Sequence, residues 1–377
     1  MQVDLYNLGP AGQLMGMGLL VAGLPLLWSW RKHRMAAPAQ RLKALTLLTL
    51  VLTFELVLVG AFTRLTDSGL GCPDWPGCYG SATPLGAHHE ITQAQNAMPT
   101  GPVTHGKAWV EMVHRYMATG VGVLIIALLG LTWRHWQRDR QQALHPGWPL
   151  GTLVWVCLQG AFGALTVTMK LFPAIVTVHL LLALGLLALL VVQAVRYEGW
   201  RSVPVSQGVR WGLRLTWCLV WLQVALGGWV STNYAVLACS DFPTCQGQWW
   251  PDMNWLGFHL WRELGHGPDA QPLPFAALVS IHYVHRSMAW VVLAALLALG
   301  WRLRRLPGLQ RPAQVLLALS ALQFLTGLSN VVLDWPLVAA VLHTAGAAAL
   351  VMTLTWALSL STTSVVSQTF SASRPVA

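Results

Sequence analysis

Charge is what this sequence lacks. Only 10% of its 377 residues are Asp, Glu, Lys or Arg, against 55% hydrophobic ones. Water-soluble domains carry roughly 25% charged residues, so a soluble globular fold is excluded. Also missing are a phosphate-cradling glycine loop, a dinucleotide fingerprint and the paired-histidine helix of metalloproteases. No C-x2-C-H motif is present, which argues against covalently attached heme.

Long apolar runs are abundant. Nine of them, at about 13–30, 44–62, 109–133, 150–168, 174–195, 213–231, 278–300, 313–333 and 337–360, have the length that crosses a bilayer core. Hydrocarbon offers backbone N–H and C=O groups no partner, so each run must be helical. The expected fold class is an all-α membrane protein. The first run reads as a retained span rather than a signal peptide. Its leader, Met1 to Gln13, has no Lys or Arg, and the basic residues Arg31, Lys32 and Arg34 follow the run.

A net charge of +10 suggests nucleic acid until its distribution is considered. Most of the 23 Lys and Arg lie in or beside alternate loops, 31–43, 134–149, 196–214 and 301–312, and in the C-terminal tail. The other loops hold most of the acids, among them Asp67, Asp74, Glu90, Asp241, Asp252, Glu263 and Asp269. This is the positive-inside pattern. It places the N-terminus outside, the C-terminus in the cytoplasm and the long loops 63–108 and 232–277 outside. It points to a lipid bilayer as partner, not nucleic acid. Many of the 21 Trp fall near span ends, as an aromatic belt requires.

Each long loop carries one C-x5-C pair, Cys72 with Cys78 and Cys239 with Cys245. The outer side is the oxidising one, so local disulfides and free thiols are both open readings. Cys157 and Cys218 fall within spans and read as packing residues.

The chain repeats itself. Residues 60–80 read GAFTRLTDSGLGCPDWPGCYG and residues 227–247 read GGWVSTNYAVLACSDFPTCQG. At an offset of 167, Gly60 meets Gly227, Cys72 meets Cys239, Asp74 meets Asp241, Pro76 meets Pro243 and Cys78 meets Cys245. EMVHR at 111–115 matches HYVHR at 282–286. At an offset of 164, Gln159 meets Gln323 and His179 meets His343. The expected organisation is an extra N-terminal helix with its basic loop (1–43), a first four-helix repeat (44–195), a linker (196–212), a second four-helix repeat (213–360) and a tail (361–377). An even number of crossings gives both copies one orientation, related by a pseudo-twofold along the membrane normal.

Four histidines lie inside spans: His114, His179, His285 and His343, each about five residues into its run. Intramembrane histidines are rare and generally functional. Two per repeat, on separate helices, are too few for a bare metal, which usually wants three or four protein ligands. They suit axial ligation of a planar heme, whose ring supplies four nitrogens. Glu111 shares a helix face with His114. It reads as a proton acceptor in catalysis, or as an interfacial acid paired with Arg115 or facing water. Its counterpart is His282, so the two sites differ in chemistry. Arg115 and Arg286 follow the candidate ligands and would meet heme propionates or snorkel to the interface. Glu55, mid-span, has no match in the second repeat. His88, His89, His105, His259 and His266 read as solvated loop residues.

GAFTRLTDSGLGCPDWPGCYG, MPTGPVTHGKAWVEMVHRYMA and TVTMKLFPAIVTVHLLLALG resemble the heme A synthase family in its proteobacterial form, over about 44–360. The resemblance implies oxidation of the C8 methyl group of heme O to a formyl group, giving heme A for terminal oxidases. It implies that the N-terminal half holds heme O with Glu111, His114 and His179, and that the C-terminal half holds heme b through His285 and His343. It carries the family's outer-loop cysteine pair onto Cys72 and Cys78. It further implies a bacterial inner membrane location, heme O supplied by a heme O synthase, and an electron acceptor it does not name. Two rival readings are a di-heme b-type electron-transfer cytochrome and a secondary transporter with parallel repeats.

Overall fold

The structure is a computed structural model that describes residues 9–140, 144–199 and 202–363. Ten α-helices stand among the described residues: α1 Gly9–Lys32, α2 Pro38–Leu65, α3 His88–Ala97, α4 His105–Asp139, α5 Gly147–Thr168, α6 Pro173–Tyr197, α7 Gln207–Thr232, α8 Phe275–Leu303, α9 Gln310–Val332 and α10 Leu337–Leu360. All but α3 are long and apolar enough to cross a membrane. The protein is an all-helical integral membrane protein. The tail beyond Thr363 lies outside the described residues.

The spans begin where the chain chemistry favours it. Proline opens α2 and α6, where its missing N–H costs nothing. The hydroxyls of Thr104 and Ser206 accept the N–H groups of Lys107 and Val209 at the starts of α4 and α7. Polar residues buried within α2 satisfy themselves: Thr46, Thr49 and Thr53 donate to carbonyls four residues back at 2.7–2.9 Å. No water is needed to place a hydroxyl there.

α2, α4, α5 and α6 close into one bundle, with α2 and α5 each touching α4 and α6. α7, α8, α9 and α10 close in the same order. The bundles meet where α6 packs on α7 and α10, and where α2 packs on α10. Helix α1 lies against α4 and, less extensively, α2. Its approach to α4 depends on glycine. A Cβ on Gly18 would meet the Thr119 side chain at 2.5 Å, and one on Gly120 would meet Val21 at 2.9 Å. Small residues let membrane helices come this close.

Several expectations are corrected. The loop 63–108 contains a helix, α3, and His105 is the first residue of α4, half-buried and 2.9 Å from the Thr92 hydroxyl. α4 and α8 start before the apolar runs do. His114 is therefore the tenth residue of α4 and His285 the eleventh of α8, not the fifth. The linker forms a strand, β1 Val203–Val205, paired in parallel with β2 Ser361–Thr363. Cys157 and Cys218 are exposed and do not pack inside.

Candidate functional site

The four span histidines fall into two pairs. His114 (α4) and His179 (α6) stand in the first bundle, His285 (α8) and His343 (α10) in the second. Each ring rests over a glycine of a neighbouring helix. A Cβ on Gly60 of α2 would stand 2.9 Å from Cε1 of His114, and one on Gly227 of α7 would stand 2.9 Å from Cε1 of His285. Gly163 of α5 and Gly327 of α9 stand under His179 and His343 at 3.1 and 3.3 Å. A Cβ would collide with the ring at Gly60 and Gly227 and crowd it at Gly163 and Gly327, so all four glycines are cradles for imidazole rings.

The second nitrogen environments differ. In the second bundle, Nδ1 of His285 lies 3.1 Å from the Gln223 amide nitrogen, and Nδ1 of His343 lies 2.9 Å from the Thr326 hydroxyl. In the first bundle, Nδ1 of His114 and Nδ1 of His179 are buried without a partner. The matched positions there are Leu56 and Phe162, which offer no hydrogen bond. Gln159 approaches His179 at Nε2, 3.4 Å away. Its repeat mate Gln323 donates to the His343 carbonyl at 3.0 Å.

Glu111 is buried, 3% exposed. Its carboxylate accepts the Cys72 N–H at 2.8 Å and pairs with Arg115. It is paired with Arg115 and does not face water. His282 does the corresponding task in the second half, with its Nδ1 3.3 Å from the Cys239 nitrogen. Arg115 does not snorkel. It is 8% exposed and donates to the carbonyls of Asp74, Pro76 and Gly77. Arg286 donates to those of Asp241 and Thr244 at 2.7 and 2.6 Å. Each arginine thus fastens a cysteine loop onto the helix that carries a candidate ligand.

The two loops share one construction. Cys72 and Cys78 form a disulfide with Cα atoms 4.8 Å apart, and Cys239 and Cys245 one with Cα atoms 4.7 Å apart. The Asp74 carboxylate accepts the N–H groups of Tyr79 and Gly80 at 2.6 and 2.8 Å. Asp241 accepts those of Gln246 and Gly247 at 2.7 and 3.1 Å. The Thr244 hydroxyl and these N–H groups hold the Asp241 carboxyl below its usual range. Tyr79 and Gly80 have φ of 49° and 72°, Gln246 and Gly247 of 54° and 72°. Two successive left-handed residues make a tight reversal of the primed type, which glycine at the second position accommodates without strain. Beside the second loop, Arg262 is buried and donates to Asn233 and to the carbonyl of Gly257.

Among the described residues no group of three or more His, Cys, Asp or Glu is arranged for a bare metal ion. A groove of about 550 Å³ lined by His145, Trp148, Trp155 and Arg196 contains none of the residues above. Glu55 lies on an exposed face of α2. His88, His89, His259 and His266 are exposed. Gly163 and Gly327 match at the same offset of 164 as Gln159 and Gln323, and that repeat marks them in the sequence. Gln223 and Thr326 break the repeat, so no internal signal marked them.

Residues 43–355 match the cytochrome oxidase assembly protein family. The chain belongs to that family. Its similar proteins include one named Heme A synthase from Shewanella oneidensis, 39% identical over 317 residues that cover 81% of this chain and 92% of that one. Another of the same name, from Rhizorhabdus wittichii, is 28% identical over 348 residues, covering 86% and 96%. A third, from Caulobacter sp. strain K31, is 30% identical over 338 residues, covering 81% and 91%. The family match takes in both bundles and all four span histidines, and leaves α1 outside.

Proposed function

We propose that the protein is a heme A synthase that oxidises the C8 methyl group of heme O to a formyl group. The first bundle takes heme O as substrate between His114 and His179. The second holds a heme b between His285 and His343. The observation that carries this division is the contrast at matched positions: buried Nδ1 atoms without partners and a carboxylate in the first bundle, engaged Nδ1 atoms and an imidazole in the second. Imidazoles locked by neighbours suit a resident group. Imidazoles whose Nδ1 has no partner suit a molecule that arrives, reacts and leaves.

The residues fit hemes. Each bundle supplies two half-buried imidazoles over glycine cradles, in apolar surroundings. When bound, heme b supplies one-electron transfer. Glu111 is placed to hold a proton beside the first site, since oxidising a methyl group requires protons to leave with electrons. Its partners Arg115 and the Cys72 N–H also tie that carboxylate to the loop that closes the site. A guanidinium carries five N–H donors. Those of Arg115 and Arg286 left over from the loop carbonyls would serve heme propionates.

The basic loops support an inner-membrane protein with its N-terminus and both cysteine loops outside and its C-terminus in the cytoplasm. A pseudo-twofold along the membrane normal is supported by contacts between repeat mates. Tyr234 donates to Asp67 at 2.7 Å and Arg64 to the Ser231 carbonyl, each pair being 167 residues apart. Only residues near such an axis touch their own counterparts. A heme O synthase supplying the substrate and an external electron acceptor complete the scheme. The family match and the names of the relatives favour this reading over an electron-transfer cytochrome. The test is chromatography of hemes extracted from cells that make heme O but lack their own heme A supply. Expressing this protein should yield heme A. Protein that binds heme O and leaves it unchanged would overturn the reaction.

A further inference from the structure

The seams between the second and third helices of the two bundles differ. In the second bundle, Trp290 of α8 and Phe324 of α9 meet across the seam with ring centroids 5.9 Å apart, and Phe242 of the cysteine loop approaches Trp290 at 6.4 Å. Counting from the matched histidines and glutamines, the first-bundle residues at these positions are Thr119 for Trp290 and Gly160 for Phe324. Gly122 stands where the second half has Leu293, and Ala161 where it has Leu325. Each exchange removes volume; Gly160 and Ala161, like Trp290, Phe324 and Leu325, lie on the outward face of their bundle, while Thr119 is covered by Gly18 of α1. A Cβ on Gly122 or on Gly160 would meet nothing within 4 Å. α4 also packs less closely on α5 than α8 does on α9.

This open seam leads to the candidate ligand. His114, Ala118 and Gly122 follow one another at i, i+4 and i+8 along one stripe of α4. The stripe runs roughly 12 Å down the helix at 1.5 Å per residue, with nothing larger than a methyl group after the histidine. α1 borders it, because Gly18 packs on Thr119. We infer that the α4–α5 seam is the subsite for the long isoprenoid side chain that distinguishes heme O from heme b. The aromatic pair Trp290–Phe324 denies that chain to the second bundle. This inference rests on the assignment of heme O to the first bundle. It gives the repeat a specificity device: the same imidazole geometry twice, with a slot for an apolar tail beside only one copy. The tail enters an apolar slot at the level of the hydrocarbon, and the ring stays at the histidines.

Spectral titration of the purified holoprotein, its second site filled, with heme O and with heme b tests this. Gly160→Phe installs the α5 half of the aromatic pair without touching Thr119, which Gly18 of α1 covers, and Gly122→Leu narrows the seam separately. Each should weaken heme O binding about tenfold, the effect of expelling some two methylene groups from an apolar surround, and leave heme b binding at the first site unchanged. Trp290→Thr/Phe324→Gly should let the second bundle accept heme O. Unchanged heme O affinity in both filling variants would overturn the inference. So would equal losses for heme O and heme b, which would mark the seam as structural or lipid-filled. A wild type that prefers heme O yet forms no heme A would sink the reaction and leave the seam standing. Heme A formation with a filled seam that costs no affinity would do the reverse.

Discussion

The first and second bundles have the same helix order, glycine cradles, arginine anchors and cysteine loops, yet they differ where a ligand's fate would be decided. Glu111 and His282 both receive the N–H of a loop cysteine, but only Glu111 is acidic. Gln223 and Thr326 engage the Nδ1 atoms of the second pair of imidazoles, whereas Leu56 and Phe162 leave those of the first pair without a partner. A duplicated fold can therefore keep its architecture through backbone-level contacts and change its chemistry through single side chains around a fixed pair of ligands.

The largest test of this contrast removes a ligand. His285→Ala or His343→Ala should abolish the low-spin heme b spectrum, with the protein still in the membrane, while His114→Ala should spare that spectrum. Retention of the full heme b signal in both second-bundle variants would erase the division of labour.

Glu111→Gln comes next. General acid–base groups contribute about 10²- to 10⁴-fold to rate, and the substitution should lower heme A formation on that scale, with heme O or a hydroxylated product accumulating in extracts. Because Glu111 pairs with buried Arg115, some loss of loop anchoring is expected too. Mapping the Cys72–Cys78 disulfide in the same variant separates the two effects. His282→Gln should change turnover far less. Equal effects of the two substitutions would mean that both residues only fasten their loops.

The smallest effect concerns the partners of the imidazoles. Groups that orient metal-binding histidines typically contribute 10- to 100-fold to affinity. Gln223→Leu and Thr326→Phe import the first-bundle residues, and each should speed heme b loss from the second bundle by about tenfold, measured by transfer to apomyoglobin. No change in release rate would remove this distinction between a resident and an exchanging site.

Much of this was legible in the sequence because membranes simplify the problem. The spans, the duplication and the four histidines followed from run length, matched offsets and the cost of a polar group in hydrocarbon. The loops were less legible. α3 is short and polar, so no apolar run announced it. Arg115 was open to two readings because its partners, the carbonyls of Asp74, Pro76 and Gly77, come within reach only after the chain reverses 38–41 residues away. The exposure of Cys157 and Cys218 depends on helix rotation, which a uniformly apolar span does not encode.

The sequence by itself determined that this chain has nine runs long and apolar enough to cross a membrane, and two stretches of matched motifs that each carry two histidines within such runs. Those features depend on composition and on residue spacing along one helix, which are local. Only the tertiary structure decided which nitrogens have partners, that Glu111 is paired with Arg115, and that the α4–α5 seam lies open where Trp290 and Phe324 close the other. Those features arise between helices far apart in the chain, where hydrogen bonds and packing depend on rotation and approach distance rather than on order in the sequence.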